Sequence, residues 1–374
     1  MKKILFGFLL FPLSIFAQIG GASTFEFVTL PYSATENALG GNQIALVTTE
    51  KNLATTLKNP SLLNTSYSNE AVGSWGLLHL KESGIGCGTI GYAHSIRENI
   101  TLEGGIHFIN YGKFEGYDEY GNSTENFFPS EYQLIFGGSW NQPFYNEQDS
   151  IQKFWANFSF GVNIKPIMSY MESYSSYGLL FDIGASYITE TGHTCLTLVA
   201  RNIGCQLKPY TEGNREPVPY SIDFGYSQQL EHAPIRFNIT YEDLQKFDLS
   251  YETKSATKTT NSLYVEEEER EFVTFGKNFL KHVNLSAELL LGKNIVIMGG
   301  YNYRKSEDLS FGSTKHGAGF SAGFALNFSR FSISYGWAKQ QAAGGRNYFT
   351  LELNTQTIYS VCKNTLQKHK TSTL

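Results

Sequence analysis

Past about residue 70 the chain alternates. Between Phe154 and Lys165 one parity carries Phe154, Ala156, Phe158, Phe160, Val162 and Ile164, while the other carries Trp155, Asn157, Ser159, Gly161, Asn163 and Lys165. Period two sustained over that length predicts a β-strand with one apolar side. The same pattern recurs at Ile100 to Phe108, Tyr132 to Trp140, Leu179 to Tyr187, Tyr220 to Tyr226, Ile235 to Tyr241, Val283 to Leu291, Ala318 to Phe328 and Phe331 to Trp337. It is weaker at Val72 to Leu80, Gly86 to Ser95, Cys195 to Ile203, Ile295 to Tyr303 and Asn347 to Asn354. Together these predict an all-β chain of fourteen strands.

A soluble sandwich would alternate too, so the charged positions decide. Glu103, Lys165, Asp182, Arg201, Asp223, Arg236, Glu288 and Glu352 all sit on the parity opposite the aromatic and aliphatic row, and that row is free of charge. This is the signature of an antiparallel transmembrane β-barrel, with an apolar face toward lipid and a polar face toward the lumen. Closure also removes the sheet edges that hydrocarbon would not tolerate. Taking the N-terminus as periplasmic, one side carries mostly short connections, 96–99, 142–153, 188–193, 228–234, 292–294 and 329–330. The other side carries 81–85, 112–131, 166–178, 204–218, 242–282, 304–317 and 338–346, mostly long, which is the outer-membrane asymmetry. Trp140 and Trp337 fall near opposite rims, where an aromatic girdle would place them.

Ahead of the strands, Gln18 to Asn69 does not alternate. Turn-forming sets, Leu39-Gly40-Gly41-Asn42 and Asn59-Pro60-Ser61-Leu62-Leu63, separate short apolar pieces. The segment is too apolar for comfortable disorder and about the right size to fill a lumen, so residues 18–70 are expected to form a plug or hatch. Lys2 and Lys3, the apolar run Ile4 to Phe16 and the small Ala17 read as a signal peptide over residues 1–17. The expected organisation is completed by a barrel over 71–354, with long outer loops at 112–131 and 242–282, and a polar tail over 355–374.

Composition fits this picture. Of 374 residues, 28 are Phe, 23 Tyr and 4 Trp, and 36 are Gly, while only 17% are charged, well below the ~25% of ordinary soluble domains. The hydropathy is too low for a bundle of helices each with ~20 apolar residues. A net charge of -5 without basic clusters argues against nucleic acid. The four cysteines, Cys87, Cys195, Cys205 and Cys362, have neither the paired spacing of a zinc site nor the density of a disulfide framework. The eight histidines are dispersed, and neither His-Glu-x-x-His nor Gly-x-Ser-x-Gly occurs, so no catalytic, cofactor-binding or metal-binding residues are assigned. Asp118 and Glu119 are adjacent carboxylates in a Gly-bounded loop, read as a solvated turn, and Glu266 to Glu269 as a solvated acidic tip.

Several segments resemble the PorQ family, outer-membrane components of the type IX secretion system of Bacteroidetes. They are Gly20 to Phe27 leading to Leu30-Pro31-Tyr32-Ser33-Ala34, the sets around Gly40-Gly41-Asn42 and Asn59-Pro60, Tyr111-Gly112-Lys113-Phe114 followed by Asp118-Glu119-Tyr120-Gly121-Asn122, and Phe331 to Tyr335. The Asn59-Pro60 element is also similar to the hatch of FadL-type transporters. The acidic insertion Lys254 to Arg270 and the tail after Asn354 depart from the PorQ pattern. The resemblance implies a non-catalytic, FadL-like barrel that anchors a surface attachment complex with PorU-, PorV- and PorZ-like partners amid outer-membrane lipid and lipopolysaccharide. Candidate plug residues are Gly40, Gly41, Asn42, Asn59 and Pro60; the candidate partner-binding loop carries Tyr111, Gly112, Phe114, Asp118, Glu119, Gly121 and Asn122. The alternative is a transporter of hydrophobic small molecules, for which a kink or bulge in a strand next to the hatch would be the mark, with Gly84 to Gly91 as a candidate.

Overall fold

The computed structural model describes residues 23–46, 52–78, 84–141, 157–247, 249, 275–309, 317–341 and 344–357. The expected signal peptide, the acidic run Glu266 to Glu269 and most of the tail lie outside them. Fourteen antiparallel strands close into one barrel in sequence order, with the first strand pairing the last. They are β1 (Glu70–Leu78), β2 (Gly86–Arg97), β3 (Ile100–Asn110), β4 (Ser130–Asn141), β5 (Phe158–Met171), β6 (Tyr174–Ile188), β7 (Thr194–Lys208), β8 (Ser221–Gln229), β9 (Ile235–Tyr241), β10 (Val283–Leu291), β11 (Ile295–Asn302), β12 (Phe320–Asn327), β13 (Phe331–Gln341) and β14 (Gly344–Asn354).

Parity sorts the two faces. The eight charges named above are all buried, whereas Ile90, Phe136, Val162, Leu198, Ile297 and Phe349 on the other row are exposed. A charge-free exposed belt around a closed, even-stranded sheet is that of an integral outer-membrane barrel. No described helix is long and apolar enough to cross a membrane; the strands do so.

The structure corrects four expectations. The outer connection expected at 166–178 is instead strand, because β5 and β6 continue to a tight turn at Met171 and Tyr174. Proline lacks a ladder donor, which made Pro166 look like a strand end; here it costs only a local gap opposite Leu134 and Ile135 on β4, and pairing resumes at Ile167. In the same way β7 runs on to Lys208, because a bulge at Asn202 (φ 55°) reverses the parity, so that Ile203 and Leu207 continue the outward row. Most of 338–346 is likewise strand, closing β13 onto β14. Finally, the described N-terminus lies at the outer end: the Thr24 N–H donates to the Pro217 carbonyl at 2.9 Å in the β7–β8 connection, and the chain then returns through the lumen to start β1 at the opposite rim.

The wall is uneven in height. Strands β5 to β7 have 14 or 15 residues, β8 to β12 only 7 to 9. At ~3.4 Å per residue and a tilt of ~40° this is a rise of about 36–39 Å against about 18–23 Å, to be set beside an apolar band ~25 Å tall. The low side is topped by two short helices, α3 (Phe275–Lys281) and α4 (Tyr303–Asp308).

Candidate functional site

The barrel interior is occupied by the N-terminal segment. It holds two short helices, α1 (Ala34–Ala38) and α2 (Leu53–Thr56), and three 3-10 turns. Each helix is started by a polar side chain that accepts a backbone N–H, Ser33 for α1 and Asn52 for α2. Helices this short are marginal alone, so their persistence reflects packing against the wall.

Contact with the wall is made over cross-strand pairs of small residues. Gly91 faces Gly105 beneath Leu57, Gly161 faces Gly184 beneath Asn59-Pro60-Ser61, and Gly323 faces Gly336 beneath α1. A β-carbon at Gly161 would run into the Pro60 carbonyl, and one at Gly336 into the Ala34 carbonyl. These glycines therefore make room for backbone, a role that a sequence pattern cannot distinguish from ordinary lumen packing.

The segment forms two apolar seals with a polar middle. At the outer end Phe25, Phe27 and Val28 pack with Ile109, Ile167, Leu180 and Val218. Toward the other rim Leu46 packs with Leu290 and Val296, and Leu62 with Cys195. Between them the Tyr32 ring stacks on His107 (centroids 4.1 Å apart), with the Lys58 ammonium 4.6 Å from its centre and its hydroxyl donating to Gln133 at 2.5 Å. Lys58 pairs with Glu36 at 2.8 Å, and Thr56 donates to Glu103 at 2.5 Å. On the wall Lys165 pairs with Asp182, whose other oxygen accepts the Asn202 N–H at 2.9 Å and so pins the β7 bulge. Arg201 pairs with Asp223, and Arg236 with Glu288 at 2.9 Å. The ion-paired groups are buried, and buried charges must be paired. Each ion pair lies within the segment or within the wall; the lock between the two is made by hydrogen bonds such as Tyr32 to Gln133 and Thr56 to Glu103, and these described groups include no aligned nucleophile, base and acid.

The candidate plug residues meet the wall at two places. Gly40 and Gly41 take left-handed φ values of 97° and 101°, which turns the Gly40 carbonyl toward the Lys305 ammonium of α4 at 2.5 Å. The Asn42 carbonyl accepts from Asn284, and its amide donates to Asp223. Asn59 caps the Pro60–Leu62 turn by accepting from Ser61, while its amide donates at 2.7 Å both to the Ile44 carbonyl and to Thr197 on β7. Burial beneath the rim lowers the pKa of the partly buried Lys305, with Arg346 adding to the effect, and burial raises that of nearby Glu242.

The candidate loop residues are elsewhere. Tyr111 packs under the outer seal and donates to Glu131 at 2.6 Å, while Gly112 to Asn122 project outward on a hairpin-like arm. Phe114 and Phe127 exchange backbone hydrogen bonds and stack at 5.6 Å. Asp118 accepts from the Tyr120 and Asn122 N–H groups and from the Asn122 amide, and Gly121 (φ 81°) closes the tip. Those bonds, the Asn122 side chain first, hold the Asp118 carboxyl below the usual range. Asp118 thus builds the turn, while Glu119 is simply exposed on it. Tyr117 and Tyr120 stand out to solvent. Sequence reading missed Asn163, Thr197, Asn284 and Lys305 as the wall's half of the lock, since each lies far along the chain from the residue it holds. Gly84 to Gly91 carries no kink: β2 pairs without a break from Gly86 to Ser95. The β6–β7 ladder shifts register twice, at Gly178 and Ile183. Among the described residues no group of three or more His, Cys, Asp or Glu could hold a metal ion.

No family model matches the chain, and neither does any curated protein. Solved structures similar to it include the Pseudomonas putida toluene transporter TodX, at 10% identity over 86% of this chain and 96% of that one with a TM-score of 0.45. A Pseudomonas aeruginosa FadL homologue is similar at 8% identity over 86% and 98% with a TM-score of 0.43. The Acinetobacter baumannii outer-membrane protein Omp33 is similar at 7% over 77% and 98% with a TM-score of 0.36.

Proposed function

We propose that this barrel is a non-catalytic anchor at the cell surface, serving the attachment complex of a type IX secretion system with PorU-, PorV- and PorZ-like partners. The observation that supports this reading best is the occupied lumen. A segment sealed by apolar clusters at both ends and tied to the wall between them by buried hydrogen bonds, Tyr32 to Gln133, Thr56 to Glu103 and Asn59 to Thr197, leaves the barrel as a rigid post, and loops on such a post make good docking elements. The arm from Tyr111 to Asn122, with Phe114, Tyr117 and Tyr120 exposed, is the surface it offers a partner. Affinity purification from gently solubilised outer membranes is expected to recover a secreted surface protein; recovery of the barrel alone would sink the proposal.

A second reading, passage of a hydrophobic small molecule, draws on the β7 bulge beside the N-terminal segment, where strand pairing shifts register twice. It predicts uptake of an apolar compound by cells or liposomes containing the protein, and loss of that uptake when the Asn202 bulge is deleted. Unchanged uptake with and without the barrel would rule it out.

A further inference from the structure

Helix α3 is built inside out for a water-exposed helix. Its buried position is the polar Asn278, whereas Phe275, Phe279 and Leu280 are exposed, Phe275 to 73%. Phe247, whose ring lies 5.2 Å from that of Phe275, is exposed with them, as is Leu244 three residues earlier on the segment that follows β9. The arrangement is fixed by polar groups on the hidden side. The Asn278 amide donates to the Phe247 carbonyl at 2.5 Å and its oxygen accepts from the Leu249 N–H, while the His282 ring bridges the Glu242 and Phe247 carbonyls at 2.7 and 3.0 Å. Buried hydrogen bonds thus hold the apolar side chains outward, an orientation that water would penalise.

Three observations identify what covers this patch. It is continuous with the lipid-facing belt: Tyr241, on the outward row at the end of β9, has its ring 5.4 Å from Phe279, and α3 runs directly into β10. It lies where the wall is lowest, since β9 has 7 residues and rises about 18 Å against an apolar band of ~25 Å. And Lys277 and Lys281 flank the apolar residues, long side chains suited to reach anionic headgroups while their stems stay in the interface.

We propose that the patch formed by Phe275, Phe279, Leu280, Leu244 and Phe247 is seated in the outer leaflet of the membrane, an interfacial foot that completes the apolar belt above the short strands. The occupant is lipid, with acyl chains against the rings and phosphate-bearing headgroups near the two lysines.

The test is site-directed spin labelling of the full-length protein, with Cys205 and Cys362 changed to Ser. Labels at Phe275→Cys and, in a separate variant, Leu280→Cys are read in proteoliposomes of phosphatidylethanolamine and phosphatidylglycerol, with Tyr120→Cys on the outer arm as reference. Heat-modifiable migration on gels reports that each variant is folded, and Leu280→Cys serves if Phe275→Cys does not fold. The foot predicts a several-fold higher ratio of oxygen to water-soluble nickel-chelate accessibility at 275 and 280 than at 120. A ratio like that at 120 would overturn the proposal. So would shielding from both reagents in native outer membranes together with chelate accessibility in the liposomes, which would assign the patch to a protein partner.

Discussion

The high wall of β5 to β7 and the low wall of β8 to β12 belong to one closed sheet, yet they meet their surroundings in different ways. The high wall gains its height from strands that continue beyond the membrane, and its central charges, Lys165 and Asp182, also fasten a bulge. The low wall stops near the bilayer surface and is finished by helices, one of which reaches back to the N-terminal segment through Lys305. The difference shows that barrel pairing sets the circumference, while the height at each point is a local matter of where backbone pairing ends.

The comparison can be broken most forcefully at the buried charges. Asp182→Ala leaves Lys165 unpaired in the lumen and the Asn202 N–H without its acceptor, a loss of about 3–5 kcal/mol. The midpoint of heat-modifiable unfolding on gels is expected to fall further than for Glu288→Ala in the low wall, where Arg236 keeps Gln229 as a partner at 2.9 Å. Equal shifts would show that the bulge contributes nothing. Next comes Gly161→Val, which pushes a side chain into the Pro60 backbone and should cost about 1–3 kcal/mol by overpacking. Greater protease sensitivity of the N-terminal segment, with the strands intact, is the expected readout. Asn59→Ala removes a cap and two buried donors and should cost about 1–2 kcal/mol in the same assay.

The smallest effect concerns the outer arm. Because hydrogen bonds hold the folded Asp118 carboxyl below its unfolded value of 3.8, its contribution to the turn is present above that value and is lost as pH falls through the folded pKa. Amide exchange at Tyr120 and Asn122 should therefore gain protection as pH rises from 2 to 5 relative to the intrinsic exchange rate. In Asp118→Asn that gain should vanish, and its persistence would exclude Asp118 as the source.

Much of the fold was legible because a barrel in lipid must alternate: each strand was found, and the eight lumen charges were placed on the correct side by parity alone. What escaped were strand ends on the high wall, where Pro166 and the Asn202 bulge interrupt local regularity without ending the pairing. The lock was half legible. Asn59-Pro60 and Gly40-Gly41 announced turns, but Thr197, Asn284 and Lys305 are unremarkable in sequence and acquire their role only when the barrel closes around the segment. The direction of threading was illegible for the same reason, since nothing local in Thr24 points to Pro217.

Helix α1 rests on β13, and the Asn37 amide donates to the Gly336 carbonyl across 299 residues of chain. The last strands to be made therefore complete the seat for the N-terminal segment, which links its docking to closure of the β1–β14 seam. Joining such distant parts carries a large loop-closure cost and makes assembly slow. Once shut, the barrel encloses that segment within a continuous wall, in the manner of a ship in its bottle.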